Sequence, residues 1–450
     1  MRRATLQESS VIHLIQKLSL KANFSWALIG NFIDGFCQWG ILVVIVKMGT
    51  PEMVGAFALG IAVCAPIMNF ALLDLRTVQA TDTRDDFLFS SYINLSTITA
   101  TTGLIIIIGI TLGFYNYGNN LSVIIFLGLF KLMENISMTY YGLFQKNEKM
   151  NYIAISLIVK GFLSLLMVIL IMYFYRSIVF ATLSLAFSWG LVMLLYDKKI
   201  ADRILSRTEY PDGKSCHNYS ETKKIITKSY MEPAILKKLF LLSLPLGFAL
   251  LIASLNANIP RYFVERFLNL RDLGIFTAMV YLAAIGIRFV MSLMQAFMPR
   301  LAKYFNTLKK KEFYNLYIKQ LIIVVTTGLA SLLLVALFGK QLVAIIYTAE
   351  YVGYSDILIW VMIFAFFEYM CIFLRNIMII SRLLKTDMAI RCVSLFILVL
   401  MCAIFIPTKG LFGAIIAMVS YSITCFVGSA VINFIIIRKF KTRSSVPEVV

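Results

Sequence analysis

Hydrophobic residues along this chain are gathered into long continuous runs, with short polar segments between them. Each run is close to the 20 or so residues that a helix needs to cross the hydrocarbon core of a bilayer. The runs do not alternate between apolar and polar positions, which excludes a transmembrane β-barrel. The pattern therefore predicts an all-α polytopic membrane protein with twelve transmembrane helices. The predicted spans are 24–46, 54–74, 87–114, 121–144, 153–175, 177–196, 239–258, 273–298, 318–338, 356–381, 388–407 and 411–437.

The charges of the loops predict the orientation. If the N-terminus is cytoplasmic, the segments on that side, counted together with the ends of the adjoining spans, carry 31 lysines and arginines and the outer loops carry 7. Because cytoplasmic loops are enriched in positive charge, both termini are predicted to be cytoplasmic. The net charge of +19 then forms a basic surface against anionic membrane lipids, and no nucleic-acid partner is needed to explain it.

A long basic segment, residues 197–238, divides the twelve spans into six and six. A short echo supports the division, because the sequence GAFA from Gly55 opens the second span and GIFT from Gly274 opens the eighth. Repeated halves with the same orientation are related by an axis along the membrane normal and hold a transport site at their interface. We therefore predict two six-helix halves, 1–196 and 239–450, around a central cavity.

The composition agrees with a membrane protein and indicates no enzyme chemistry. Hydrophobic residues make up 60% of the chain, charged residues 14%, and mean hydropathy is +0.84. The first span lacks a cleavage site, and apolar residues at helical spacing over 11–18 predict an amphipathic surface helix before it. The sequence has no C-x-x-C pair, no phosphate-binding glycine loop and no apparent nucleophile triad, so we predict no cofactor, no metal and no catalytic residue.

Seven charged residues lie more than five positions from either end of a predicted span, and four of them are basic. Each costs roughly 2.5–3.5 kcal/mol at the centre of a bilayer, so such residues normally face one another or a wet cavity. This distribution indicates a solute pathway, and the excess of cations indicates an anionic solute. The basic residues are Lys131, Lys160, Arg288 and Arg375, and the acidic residues are Asp34, Glu134 and Glu368.

Helical spacing aligns these residues with other polar side chains on single faces of five spans. The main alignments are Asn31, Asp34 and Gln38 in span 1, Lys131 and Glu134 in span 4, Lys160 with serines in span 5, Arg288 and Gln295 in span 8, and Glu368 and Arg375 in span 10.

Two of the cations have alternative explanations. Lys131 and Glu134, three residues apart, neutralise each other if they pair, and Lys160 reaches the cytoplasmic surface if it snorkels. Arg288 and Arg375 have no acid within a turn of their own helix, so we expect them to line a cavity. Asp34 has no base within a turn, and an isolated carboxylate of this kind suits coupling to protons or sodium.

Several short motifs resemble those of a transporter family. Span 2 carries GAFA from Gly55, Ala65-Pro66, and Leu75-Arg76 leading to Asp82, and spans 7 and 8 carry LPL from Leu244, NIPRY from Asn258 and QAFMPRL from Gln295. These motifs, the length and the two halves resemble Wzx-type O-antigen flippases of the multidrug/oligosaccharidyl-lipid/polysaccharide exporter superfamily.

The resemblance implies a two-lobed bundle in the bacterial inner membrane that moves an oligosaccharide linked by pyrophosphate to undecaprenol, by alternating access and with an ion gradient as the driver. It adds Arg76, at a cytoplasmic span end, as a pyrophosphate contact or a membrane anchor. Expected partners are a polysaccharide polymerase and a chain-length regulator. Two alternatives stay open: a cation or drug antiporter of the same superfamily, which the excess of cations disfavours, and a membrane-embedded polymerase or ligase, which the short outer loops disfavour.

Overall fold

The structure, a computed structural model, describes residues 20–82, 86–115, 120–208 and 232–442. Within these ranges the chain consists of helices and short connections, without strands. The predicted surface helix over 11–18 and most of the predicted linker lie outside the described residues. The helices are α1 (Leu20–Met48), α2 (Pro51–Leu72), α3 (Leu75–Thr81), α4 (Phe89–Phe114), α5 (Asn120–Lys146), α6 (Met150–Phe174), α7 (Ile178–Val192), α8 (Lys198–Thr208), α9 (Pro233–Phe267), α10 (Leu270–Asn306), α11 (Lys310–Ile346), α12 (Ala349–Val352), α13 (Ser355–Ile380) and α14 (Leu384–Thr442).

Eleven helical segments of the described residues are long and apolar enough to cross a membrane. They follow the predicted spans in order, except that α14 covers both the eleventh and the twelfth windows. Gly410 interrupts α14 between these windows with φ 59° and ψ −136°, a conformation that glycine adopts far more readily than other residues. The all-helical membrane class is confirmed, whereas the number twelve and the cytoplasmic termini stay predictions.

The sixth span continues farther than its hydrophobic window. α7 passes through a π-helical turn, Met193–Asp197, directly into the polar helix α8. A π turn contains an additional residue, so it changes which side chains face the bundle after it. The predicted boundary between residues 196 and 197 falls inside this turn, and the domain boundaries themselves stay predictions.

By their contacts, the described residues divide into two units. The first contains residues 20–44 and 63–254, and the second contains 45–62 and 255–442. Each unit has a central helix. In the first, α5 packs against α3, α4, α6 and α7, and in the second, α13 packs against α10, α11 and α14. α5 is the fourth predicted span and α13 is the tenth, so the same position of each predicted half is central. These two helices also carry four of the seven intramembrane charges.

The first unit is held by close helix packing. A β carbon at Gly30 of α1 would lie 2.6 Å from the Cα of Ala154 in α6, so the two backbones are nearly in contact. Small residues permit this approach, which increases dispersion contacts between helices in lipid. A buried cluster surrounds the start of α3 and joins it to α4 and α9. Its members are Leu73, Leu75, Phe87, Tyr92, Leu95 and Leu239.

The second unit has a comparable apolar cluster where α10, α11, α13 and α14 meet. The aromatic rings of Phe305 and Phe440 stack there with centroids 4.8 Å apart. Residues elsewhere on these helices expose large apolar side chains, among them Phe396 and Phe434. Exposed rows of this kind are expected on helix faces that contact lipid. The buried members of the cluster are Leu301, Phe313, Ile377, Met378, Ile436 and Phe440.

Candidate functional site

A buried ion pair lies inside the first unit. The ammonium of Lys160 in α6 is 2.6 Å from Oδ2 of Asp197, and both side chains have zero solvent exposure. The same nitrogen donates to Oγ of Ser137 at 2.8 Å and to the hydroxyl of Tyr141 at 3.0 Å. It also lies 4.8 Å from the ring of Trp189. Lys160 therefore has an anion, two hydroxyl acceptors and an aromatic face around its charge, which offsets the cost of burying it.

This arrangement changes the interpretation of Lys160. The snorkelling alternative is wrong for this structure, because a snorkelling lysine carries its ammonium to the surface, whereas this one is fully buried. Its partner Asp197 lies 37 positions farther along the chain, so looking for an acid within the helix of Lys160 does not find it. Lys160 also offers no surface to a solute here, so its predicted contact with substrate requires the pair with Asp197 to open.

Asp34 and Gln38 form a second polar contact of the first unit. Nε2 of Gln38 donates to Oδ2 of Asp34 at 2.8 Å. A β carbon at Gly161 would lie 3.7 Å from the Cα of Asp34, so this part of α1 packs beside the helix that carries Lys160. Asn31, the third residue of the predicted stripe, is exposed and donates to the carbonyl one turn before it, at 2.7 Å. The structure thus brings Asp34 and Gln38 together, and Asn31 takes a separate local bond.

Lys131 and Glu134 form the local pair that their spacing suggests. Their charged atoms are 2.5 Å apart, and each side chain is 19% exposed. The pair lies on α5, the central helix of the unit. Self-neutralisation, one of the two explanations open from the sequence, therefore describes the contact seen here.

Arg76 of α3 is held by neighbouring side chains. Its Nε donates to Oε1 of Gln145 at 2.9 Å, and its guanidinium lies 5.9 Å from the centre of the Tyr141 ring. Tyr141 also bonds to Lys160, so one tyrosine contacts both cations. Arg76 is half-buried. Neighbouring side chains therefore hold Arg76 within the unit, whereas a membrane anchor would extend its guanidinium toward the membrane surface.

In the second unit, Arg375 has a partner on the following helix. Nε of Arg375 is 3.2 Å from Oδ2 of Asp387 in the first turn of α14. Nε of Arg391, one turn farther along α14, is 3.1 Å from the same oxygen. Arg375 has no acid within a turn of its own helix, as its sequence indicates, but it is not isolated. One carboxylate of the second unit holds two guanidiniums.

Glu368 and Arg288 complete the predicted set in this unit. Glu368 lies two turns before Arg375 on α13, and its Oε1 is buried with no hydrogen-bond partner among the described residues. The charge of Arg391 is within electrostatic reach of Glu368. Arg288 of α10 is exposed. The side chain of Gln295 lies outside the part of the chain that the structure describes.

Sequence reasoning missed three ionisable residues at these sites: Asp197, Asp387 and Arg391. Asp197 follows the sixth hydrophobic window by one residue. Asp387 and Arg391 flank the start of the eleventh window. Their spacing of four residues places them on one helix face and could have indicated an ion pair. In the ranges that the structure covers, no three His, Cys, Asp or Glu residues are placed to hold a metal ion.

The chain is similar to known proteins over most of its length. Residues 20–305 match a family described as polysaccharide biosynthesis protein. The chain is 31% identical over 395 residues to the capsular polysaccharide biosynthesis protein CapF of Staphylococcus aureus, covering 87% of this chain and 93% of that protein.

Solved transporter structures share its fold. An inward-facing multidrug resistance MATE family transporter of the MOP superfamily superposes with a TM-score of 0.67 and 13% identity, covering 93% of this chain and 100% of that chain. The lipid II flippase MurJ, in an inward closed conformation, superposes with a TM-score of 0.64 and 14% identity, covering 92% and 89%. The resemblance to exporters of this superfamily is confirmed at the level of family and fold. The chain belongs to the polysaccharide biosynthesis protein family and has the all-helical fold of MOP superfamily transporters.

Proposed function

We propose that this protein is a flippase that carries a lipid-linked oligosaccharide, the repeat unit of a capsule, O-antigen or similar surface polysaccharide, across the bacterial cytoplasmic membrane. The lipid carrier in this proposal is undecaprenyl pyrophosphate. Movement occurs by alternating access and is driven by an ion gradient. Family membership and the transporter fold support transport over catalysis.

The observation that carries the proposal is the placement of arginines in apolar helices of a polysaccharide family member. Arg375 is 45% exposed and Arg288 is also exposed, although both belong to membrane-spanning helices. Arginine binds phosphate through paired N–H donors, so such side chains suit a pyrophosphate or an acidic sugar. In the proposal, substrate contacts come from Arg288, Arg375, Lys131, Lys160, Asn31, Gln38, Gln295 and Arg76.

Acidic side chains supply the ion coupling in this proposal. Glu368 has a buried carboxylate oxygen that accepts none of the hydrogen bonds found in the described residues, and the carboxylate of Asp34 accepts the amide of Gln38. Glu134 is engaged with Lys131 and is the third candidate. A carboxylate that alternately binds and releases a cation links substrate movement to a gradient, provided its surroundings differ between the two access states.

The main competing function is export of cationic drugs, which the likeness to a multidrug resistance transporter favours. Recognition of a cation requires carboxylates and aromatic rings toward the solute. The second unit instead places two arginines around one aspartate. A membrane-embedded polymerase or ligase is the other competitor, and a polymerase or chain-length regulator acting beside this protein remains part of the proposal as a partner.

Lipid-linked sugars in a deletion strain test the function. A flippase defect leaves single repeat units on the cytoplasmic face, whereas a polymerase defect leaves single units exported and attached. Complementation with either Arg288→Ala or Arg375→Ala should restore export to less than a tenth of the wild-type level. The exposed control Lys385→Ala should restore it to the full wild-type level. Normal polysaccharide display by both arginine variants, with drug resistance following expression of the protein, would overturn the proposal.

A further inference from the structure

Two arginines of the second unit share one carboxylate oxygen. Nε of Arg375 and Nε of Arg391 lie 3.2 Å and 3.1 Å from Oδ2 of Asp387. A guanidinium carries five N–H donors in a planar fork, and a contact through Nε uses one of them. A single carboxylate also balances only one of the two positive charges. The three residues together therefore carry a net positive charge and have donors available for a further anion.

This three-residue group is open on its arginine side. The side chain of Asp387 is 8% exposed, that of Arg391 is 23% exposed and that of Arg375 is 45% exposed. Arg375 lies five residues before the end of α13 at Ile380, about 7 Å along the helix axis. A guanidinium at this depth is costly if it faces hydrocarbon, so its exposed edge requires water or a polar ligand.

The group is built on two helices that pack against each other within the second unit. α13 supplies Arg375, and the first two turns of α14 supply Asp387 and Arg391. The backbone N–H of Asp387 donates to the carbonyl of Leu383 at 3.1 Å, which fixes the residue at the start of α14. The carboxylate is therefore well placed to orient both guanidiniums.

We propose that Arg375 and Arg391 form a binding site for a phosphate-type anion, with Asp387 as the residue that positions them. Two planar forks match the two phosphoryl groups of a diphosphate better than the single group of a monophosphate. The inference rests on the proposed function and assigns this site to the diphosphate bridge of the lipid-linked substrate. The site lies at the helix ends predicted to be cytoplasmic, where loading begins. The phosphate of a bulk anionic lipid has the same chemistry and is the alternative source.

Binding by the full chain in nanodiscs tests the site. The probes are geranyl diphosphate and geranyl monophosphate, with the protein in discs of phosphatidylcholine alone. Wild type should prefer the diphosphate at least tenfold. Arg375→Gln and Arg391→Gln should each weaken diphosphate binding at least tenfold, and Arg391→Lys should reduce the preference because lysine is a point charge without a fork. The control Lys385→Gln, an exposed cation of the same turn as Asp387, should bind within twofold of wild type.

The role of Asp387 is tested by the ratio of the two affinities. Asp387→Asn should lower the preference for diphosphate to below threefold, and Asp387→Glu should restore most of it. A role confined to stabilising the start of α14 predicts instead that Asp387→Asn lowers the melting temperature without changing the ratio. Thermal unfolding of every variant separates loss of the site from loss of the fold. The conservative variant Arg391→Lys still tests the site if Arg391→Gln does not fold.

Discs that contain phosphatidylglycerol distinguish the two phosphate sources. If the site takes the substrate diphosphate, adding this lipid should change the affinity for geranyl diphosphate by less than twofold. Competition greater than tenfold that disappears in Arg391→Gln would assign the site to bulk lipid and overturn its substrate role. Diphosphate binding within twofold of wild type in both glutamine variants would overturn the site itself. If Arg391→Gln loses diphosphate binding while repeat units still reach the surface, the site stands and the transport role is wrong.

Discussion

Gly55 of α2 and Gly274 of α10 occupy reciprocal places in a close helix crossing of the second unit. A β carbon at Gly55 would overlap the carbonyl oxygen of Leu270, and one at Gly274 would overlap the carbonyl oxygen of Pro51. Each glycine therefore meets the residue four positions before the other. The two glycines begin the GAFA and GIFT motifs, so the internal echo of the sequence marks the point where the two echoed segments touch.

Alanine at either glycine should destabilise the protein. Gly55→Ala or Gly274→Ala forces the two backbones apart, with an expected cost of about 1–3 kcal/mol that lowers the melting temperature in detergent. Gly109→Ala is the matched control, because nothing lies within 4 Å of a β carbon at this mid-helix position. Alanine there should be neutral or stabilising. An equal melting temperature for the Gly274 and Gly109 variants would contradict the crossing.

The Lys160–Asp197 pair should show strong energetic coupling. Removing one partner leaves the other charge buried, so Lys160→Met or Asp197→Leu alone should lower the free energy of unfolding by about 3–5 kcal/mol. The double variant should recover most of this loss, because two apolar side chains need no ionic partner. Denaturant unfolding of all four proteins gives the coupling energy.

Lys131 and Glu134 offer a comparison for this cycle. Their pair is local and each side chain is partly exposed, so its coupling should be about 0.3–0.5 kcal/mol. A Lys160–Asp197 coupling as small as this would mean that the buried pair is not an energetic unit.

Asp34 and Glu368 should determine how transport depends on pH if either carries the coupling ion. In proteoliposomes with an imposed pH gradient, Asp34→Asn or Glu368→Gln should make the rate of lipid-linked oligosaccharide translocation independent of that gradient. Asp86→Asn, at an exposed loop position, is the control and should retain the dependence. Wild-type rates and an unchanged pH profile in both variants would exclude these two carboxylates as the coupling groups.

Asp82, beyond the end of α3, is expected to make stability depend on pH. Its carboxylate accepts the backbone N–H groups of Asp86 and Phe87 at 3.1 Å and 3.3 Å and the hydroxyl of Tyr92 at 3.2 Å. The ammonium of Lys146 is 3.8 Å away. Burial raises the pKa of Asp82, but these donors and the Lys146 charge outweigh burial and hold the pKa below its usual value.

The ionised form of Asp82 therefore stabilises the folded state. This contribution is complete above the unfolded pKa of about 4 and is lost as the pH falls through the lower folded pKa. Asp82→Asn should lower the melting temperature at pH 7, and the difference from wild type should shrink as the pH is lowered from 5 to 3. A difference that stays constant over this range would show that the charge of Asp82 has no part in stability.

The sequence predicted the spans well and the partners of the charges poorly, for a physical reason. A hydrophobic run crosses the bilayer because of its own composition, so the windows match the helices without knowledge of packing. The pair of Lys131 and Glu134 could also be predicted, since both residues belong to one helix. The partner of Lys160 could not be predicted, because Asp197 reaches it from another helix. Arg375 likewise meets Asp387 across a connection between helices, and only tertiary structure brings such residues together.

The π turn that ends at Asp197 makes the buried ion pair depend on helix winding as well as on residue type. Five residues of a π turn sweep about the same angle as four of an α-helix, so the turn accommodates one additional residue while the helix after it keeps its facing. Winding the same residues as ordinary α-helix would instead turn the following side chains by about 100° around the axis, at 3.6 residues per turn. Conservation of this salt bridge among homologues therefore requires either the additional residue together with the π turn or neither of them, besides the aspartate itself.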